Sequence, residues 1–197
     1  MTKPTNTVRP EFVEGLPLVC HPDTPSRWAR AIAVSVARNE WQQLVLHFQI
    51  RGDIRHLVVP APVPYASRCD GLWQTTCVEA FVRPTGGSGY VELNFAPSTA
   101  WAAYQFSDYR HPIEPPQIDA PPIDIDLRDE EISISVAADM SPIVFLKPEE
   151  TWRLGLSAVI EETDGTKSYW ALAHPPGKPD FHHSDCFALE LAAPDLS

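Results

Sequence analysis

The strongest constraint on this chain is a series of short apolar-alternating runs separated by Pro, Gly, Asn and Asp, with no long segment of helical period. Expected strands are Ala29–Ala37, Gln43–Arg51, Leu57–Val59, Leu72–Val82, Tyr90–Phe95, Trp101–Tyr109, Ile123–Leu127, Ile132–Ala138, Trp152–Glu161, Ser168–His174 and Phe187–Leu191. Most of the 21 prolines fall between these runs, where no ladder hydrogen bond is lost. Short helical turns are expected at Pro142–Phe145 and at Asp180–Ser184, the second capped by Asp180. With no helices to cover a sheet, the strands must pack as two sheets. The expected fold class is all-β: a two-sheet antiparallel β-sandwich, jelly-roll-like, of about ten strands with one or two short helical turns.

A length of 197 residues suits one domain. Residues 1–15 are polar and aperiodic and read as a loose extension, leaving 16–197 as the single domain. The net charge of -11 argues against a nucleic-acid partner and against anionic membrane surfaces. No apolar run is long enough to span a bilayer, and the first residues lack the apolar core of a secretory signal, so a cytoplasmic location is expected. Cys20, Cys69, Cys77 and Cys186 are scattered and read as reduced thiols.

The stretch Leu72–Arg110 carries the candidate site. Folding it about the turn Thr85–Ser88 places Phe81 opposite Tyr90, Glu79 opposite Glu92 and Cys77 opposite Asn94. Val78, Ala80 and Val82 then share an apolar core face with Val91, Leu93 and Phe95. A turn at Pro97–Ala100 is expected to bring Trp101, Ala103 and Gln105 onto the acidic face. That face would carry Trp73, Glu79, Glu92, Asn94, Trp101 and Gln105, a platform for a small polar ligand, with Arg68, Arg83 or Arg110 as the competing source of cations for the acids. The hairpin over Asp164-Gly165 is expected to pair Ile160 with Tyr169 and Val159 with Trp170. Arg153, Gly155, Ser157, Trp170 and His174 then share a face, with space opposite Gly155. The loop HPPGKPDFHHSD, His174–Asp185, adds Lys178, Asp180 and His182 as a rim. Adjacent His182 and His183 point apart, which argues against a metal site with Asp185. Tyr104, Phe106 and Tyr109 read as core and rim aromatics.

Three stretches, RCDGLWQTTCVEAFV (Arg68–Val82), GYVELNFAPSTAWAAYQFSDYR (Gly89–Arg110) and SYWALAHPPGKPDFHHSDCF (Ser168–Phe187), resemble the DOMON-like superfamily, which contains family 9 carbohydrate-binding modules. Trp73, Glu79 and Phe81 fit its W-x-x-x-x-x-E-x-F strand. The resemblance covers the chain from about residue 18 onward and is nearest to a small bacterial branch. It implies a β-sandwich of about ten strands whose ligands are sugars or haem. It therefore implies binding of a sugar or sugar derivative rather than chemistry, with ligand-binding residues Arg68, Trp73, Glu79, Glu92, Asn94, Trp101, Gln105, Trp170, His174 and Lys178. Structural calcium occurs in some family 9 modules, but no DxDxDG loop is present here. Two other readings stand beside binding. Glu79 and Glu92 could be the acid and nucleophile of a glycoside-processing enzyme, which needs carboxyls about 5 Å apart in the retaining case. Alternatively, the domain could hold haem or a protein partner. A haem site would draw on Met140, the only methionine besides Met1. No cofactor or oligomeric state is signalled by the sequence.

Overall fold

A computed structural model describes residues 12–63 and 65–194. Twelve strands run in chain order: β1 Val13–Cys20, β2 Ala29–Arg38, β3 Gln43–Gly52, β4 Cys77–Pro84, β5 Tyr90–Phe95, β6 Trp101–Asp108, β7 His111–Ile113, β8 Ile123–Leu127, β9 Glu131–Asp139, β10 Trp152–Glu161, β11 Lys167–Ala171 and β12 Leu189–Leu191. The helices among the described residues are 3₁₀ turns of three residues each, so the all-β expectation holds. All strand pairs are antiparallel. One sheet runs β1-β2-β3-β9-β8, the other β7-β6-β5-β4-β10-β11, with β12 beside β10. β1 joins them: Val13–Leu18 pairs with β2, and Val19–Cys20 pairs with β11.

The core lies between the sheets. Its side chains follow the period of two: Val34, Leu46, Phe48 and Ile134 from the first sheet meet Val78, Leu93, Leu154 and Leu156 from the second. Trp152 is fully buried, its indole under the Arg38 guanidinium at 3.4 Å. The two terminal nitrogens of Arg38 donate to the carbonyls of Lys147, Pro148 and Glu150, which offsets much of the cost of a buried cation, while Nε stays without a partner. All four cysteines are free thiols.

Several sequence expectations need correction. Residues 13–15, expected in the loose extension, begin β1; residues 1–11 lie outside the described residues. Gly15, in the left-handed region at φ 64°, makes the bulge there. β7 is an additional strand with no mark in the sequence, and Leu57 makes only an isolated bridge to Glu162 instead of a strand. Asp180 is not a helix cap. His183 Nδ1 accepts from Asp185 N–H at the 3₁₀ turn Ser184–Cys186.

Candidate functional site

The outer face of the second sheet is concave rather than merely solvated. Phe81, Tyr90, Phe106, Val159, Ala171 and Phe187 form a second apolar cluster there, joined by Phe181 from the 174–185 loop. A cavity of about 390 Å³ opens on this face. Its floor is Glu79, Phe81, Glu92, Tyr104, Phe106 and Val159, and its walls are Trp73, Tyr169, Arg110 and the segment Pro179–His182.

Glu79 and Glu92 share this face, as alternation along β4 and β5 predicts. Their partners differ from the expected ones. Glu79 is opposite Asn94, and Glu92 is opposite Phe81: the bend stays at Thr85–Ser88, and the ladder pairs two residues further along β5 than expected. A shift of two residues preserves the face, so Val78, Ala80 and Val82 still pack with Val91, Leu93 and Phe95.

Two other expectations slip by one residue and therefore change face. The β5–β6 connection is the three-residue loop Pro97–Thr99, not a four-residue turn. Ala96 N–H donates to Ala100 O and Thr99 N–H to Ala96 O, with Thr99 at φ 65°. Trp101, Ala103 and Gln105 consequently pair with Phe95, Leu93 and Val91, and Trp101 and Ala103 enter the main core. Tyr104 and Phe106 take the site face instead. The β10–β11 loop is likewise Thr163–Gly165, closed by Gly165 N–H to Glu162 O and Glu162 N–H to Thr166 O, with Gly165 at φ 87°. Ala158 therefore opposes Trp170, and Val159 opposes Tyr169. Trp170 is in the core, its Nε1 donating to Ser168 Oγ, and Tyr169 lines the cavity.

The remaining candidates also sort by position. Trp73 lines the cavity from the 3₁₀ turn Leu72–Gln74, 42% exposed and edge-on to Tyr104. Arg68 spends its guanidinium on Ala103 O, and Lys178 is an exposed residue off the cavity wall. His174 Nε2 bonds Val19 O beside His21, at a separate surface dent. The space expected beside Gly155 is filled by a loop: a Cβ there would lie 3.0 Å from Cys186 O. Among the described residues no group of His, Cys, Asp and Glu has metal-site geometry, and Met140 is buried in the core away from the cavity lining.

Local charge is organised by three networks. Glu79 is 2% exposed, and Ser157 Oγ donates to its Oε2 at 3.1 Å. Burial first, and repulsion from Glu92 second, push its carboxyl well above the ordinary range. Glu92 is also buried. Its carboxyl is raised by burial, against the lowering effects of Asn94 Nδ2, which donates to Oε1 at 2.8 Å, and of nearby Arg110.

His182 projects into a box formed by Phe81, Tyr90 and Phe106, at ring distances of 5.2, 5.8 and 5.1 Å. Burial, aided by Arg110, lowers its pKa to about 4, so it is neutral near pH 7. The Tyr90 hydroxyl accepts from Arg110 N–H and is hydrogen-bonded to His182 Nδ1 at 2.8 Å. His182 Nε2 faces Glu92 Oε2 from 3.6 Å, and a carboxyl acceptor on that side favours the Nε2–H tautomer with Tyr90 donating to Nδ1. The contact is therefore dipolar rather than an ion pair.

Asp180 fastens the rim. It accepts from Tyr109 Oη at 2.6 Å, Arg110 Nη2 at 2.8 Å and His182 N–H at 3.2 Å. Burial alone would raise its carboxyl, but the Tyr109 and Arg110 bonds hold it below the usual range. Asp180 and His182 are thus rim residues, as their loop predicts. Tyr104 and Phe106 are cavity lining that the sequence does not reveal, for the register reason above.

No protein-family model matches the chain, and no curated protein matches it. Two solved structures share the fold. A protein from Bacteroides uniformis ATCC 8492, provisionally assigned as carbohydrate-binding, superposes with a TM-score of 0.67 at 16% identity, over 93% of this chain and 86% of that one. A family 9 carbohydrate-binding module from Caldicellulosiruptor kristjanssonii, solved with glucose, gives 0.53 at 9% identity, over 95% and 86%.

Proposed function

We propose that this domain binds a sugar or sugar derivative, without chemistry, in the cavity between Trp73 and the Pro179–His182 rim. The observation that carries this reading is the composition of one cavity: apolar ring faces from Trp73, Tyr104 and Phe106 beside hydrogen-bond acceptors of Glu79 and Glu92. A pyranose has the complementary pattern, with C–H faces that pack on aromatic rings and hydroxyls that donate to carboxylates. A volume of about 390 Å³ accommodates a small ring ligand. The fold's relation to sugar-binding structures supports the same reading.

Calorimetry and intrinsic fluorescence test it. Titration with glucose or cellobiose should change Trp73 emission, and a Trp73→Phe control isolates that signal from the other tryptophans. Because Trp73 is half-exposed, Trp73→Ala should melt close to wild type and weaken binding by about 1–2 kcal/mol. Unchanged affinity in that variant would remove Trp73 from the site.

The enzyme reading keeps one supporting observation. Glu79 holds its proton toward neutral pH beside a second carboxyl, the arrangement a general acid requires. Release of sugar from aryl glycosides, abolished by Glu79→Gln, would favour it over binding alone.

A further inference from the structure

We infer that the preferred ligand is an amino sugar, whose ammonium group sits between Glu79 and Glu92; the inference rests on the sugar-binding reading above. The ground is a pair of acids on one cavity floor with no cation of their own. Among the described residues, neither Glu79 nor Glu92 has a Lys or Arg within ion-pair distance. The nearby guanidinium, Arg110, is already held by Asp180. Arg68 is bonded to a backbone carbonyl, and Arg83 stacks on the Phe187 ring at 4.4 Å.

The donors that reach the two acids each serve a single oxygen. Ser157 serves one oxygen of Glu79, and Asn94 Nδ2 serves one oxygen of Glu92. The His182 Nε2–H stops 3.6 Å short of the other Glu92 oxygen. Asn94 Oδ1, on a residue with no exposed surface and opposite Glu79 in the ladder, is a buried acceptor without a partner.

Sugar hydroxyls could supply donors to this surface but no charge, so Glu79 would still have to keep its proton, because two ionised carboxyls buried side by side are the costly arrangement. An ammonium supplies three donors and the missing charge together. An anionic sugar, such as an acid or phosphate ester, would bring a further negative charge beside two acids that already lack a cation. The aromatic faces of Trp73 and Tyr104 serve the ring whichever substituent it carries.

The test compares four probes by calorimetry at pH 7 on the intact chain: D-glucosamine, D-glucose, N-acetyl-D-glucosamine and methylammonium. Acetylation removes the positive charge while keeping the ring. Glucosamine should bind about tenfold tighter than either neutral sugar, the difference between a charged and a neutral hydrogen-bonded contact. In Glu79→Gln and Glu92→Gln that ratio should fall toward one. The ratio within one variant is not mimicked by partial unfolding, since all the probes then weaken together. Glucose binding as tightly as glucosamine overturns the amine assignment and leaves sugar binding standing. Methylammonium binding without any of the sugars keeps the amine assignment and removes the sugar reading. No heat from any probe overturns both.

Discussion

Above pH 7, Glu79→Gln should be more stable than the wild type, by about 2–4 kcal/mol near pH 9, with the difference vanishing below pH 5. A glutamate in the unfolded chain loses its proton near pH 4.3, as free glutamates do. In the folded chain, burial and Glu92 keep the Glu79 proton on to higher pH. Between those two values the folded state binds more protons than the unfolded one. Wild-type stability therefore falls as pH rises through that interval, and it is fully retained below the unfolded value. His182 acts in the opposite sense. Its folded pKa is depressed to about 4, so the stability it contributes is present above its unfolded value near 6.5 and is lost as pH falls toward 4. Above about pH 6.5 the histidine contribution is flat, and the remaining downward slope belongs to the acids. The amide that replaces the Glu79 carboxyl in this variant keeps an acceptor for Ser157 and places an N–H near the unpartnered Asn94 Oδ1. Urea melts of both proteins from pH 5 to 9 decide the matter. Parallel curves would mean that Glu79 is ionised throughout and that its burial has been compensated by some other group. The same variant should lose ligand, so the acid would be kept for function at a cost in stability.

The second large effect is expected at the rim. Asp180→Ala removes the acceptor shared by Tyr109, Arg110 and the His182 amide. These bonds connect the β6–β7 turn to the 174–185 loop, which also meets the sheet through Phe181 and through His182 in its aromatic box. Hydrogen bonds to a charged group contribute about 1.5–3 kcal/mol, and partial exposure of this one reduces that to about 1–2 kcal/mol. The loss should be local: faster amide exchange over 108–112 and 178–186, with little change in strands β2, β3 and β9. Affinity should fall about 10- to 100-fold for two reasons. The wall that shapes the cavity loosens, and Arg110, once released, can neutralise Glu92 in competition with a ligand. Unaltered exchange in both segments would show that Phe181 and the boxed His182 hold the loop without Asp180.

How far the sequence reads into this structure depends on loop length more than on strand propensity. The period of two in Val78–Val82 and Val91–Phe95 identifies both the core face and the acid face, and both are found as expected. Glu79 and Glu92 keep their face because their hairpin slipped by an even number of residues. Trp101, Gln105 and Trp170 do not share it because Thr99 and Gly165 adopt left-handed conformations that shorten or lengthen a loop by one residue. The Gly165 turn has a glycine to announce that conformation. Thr99, a β-branched residue at φ 65°, does not, so the change of face at Trp101 has no local sequence mark. β1 is hard to read for a related reason: it is pleated around the bulge at Gly15 and mostly exposed, so no clean alternation runs through it.

The position of β1 also makes it a clasp. One short segment is the neighbour of β2 in one sheet and of β11 in the other, so a cut or insertion within residues 13–20 would bare two edges at once. Exposed edges recruit strands from other chains. A domain of this shape would then face oligomerisation by strand exchange, with the clasp of one molecule closing the sandwich of the next. Fusion partners are accordingly better attached at the other end of the chain, beyond β12, which borders only β10.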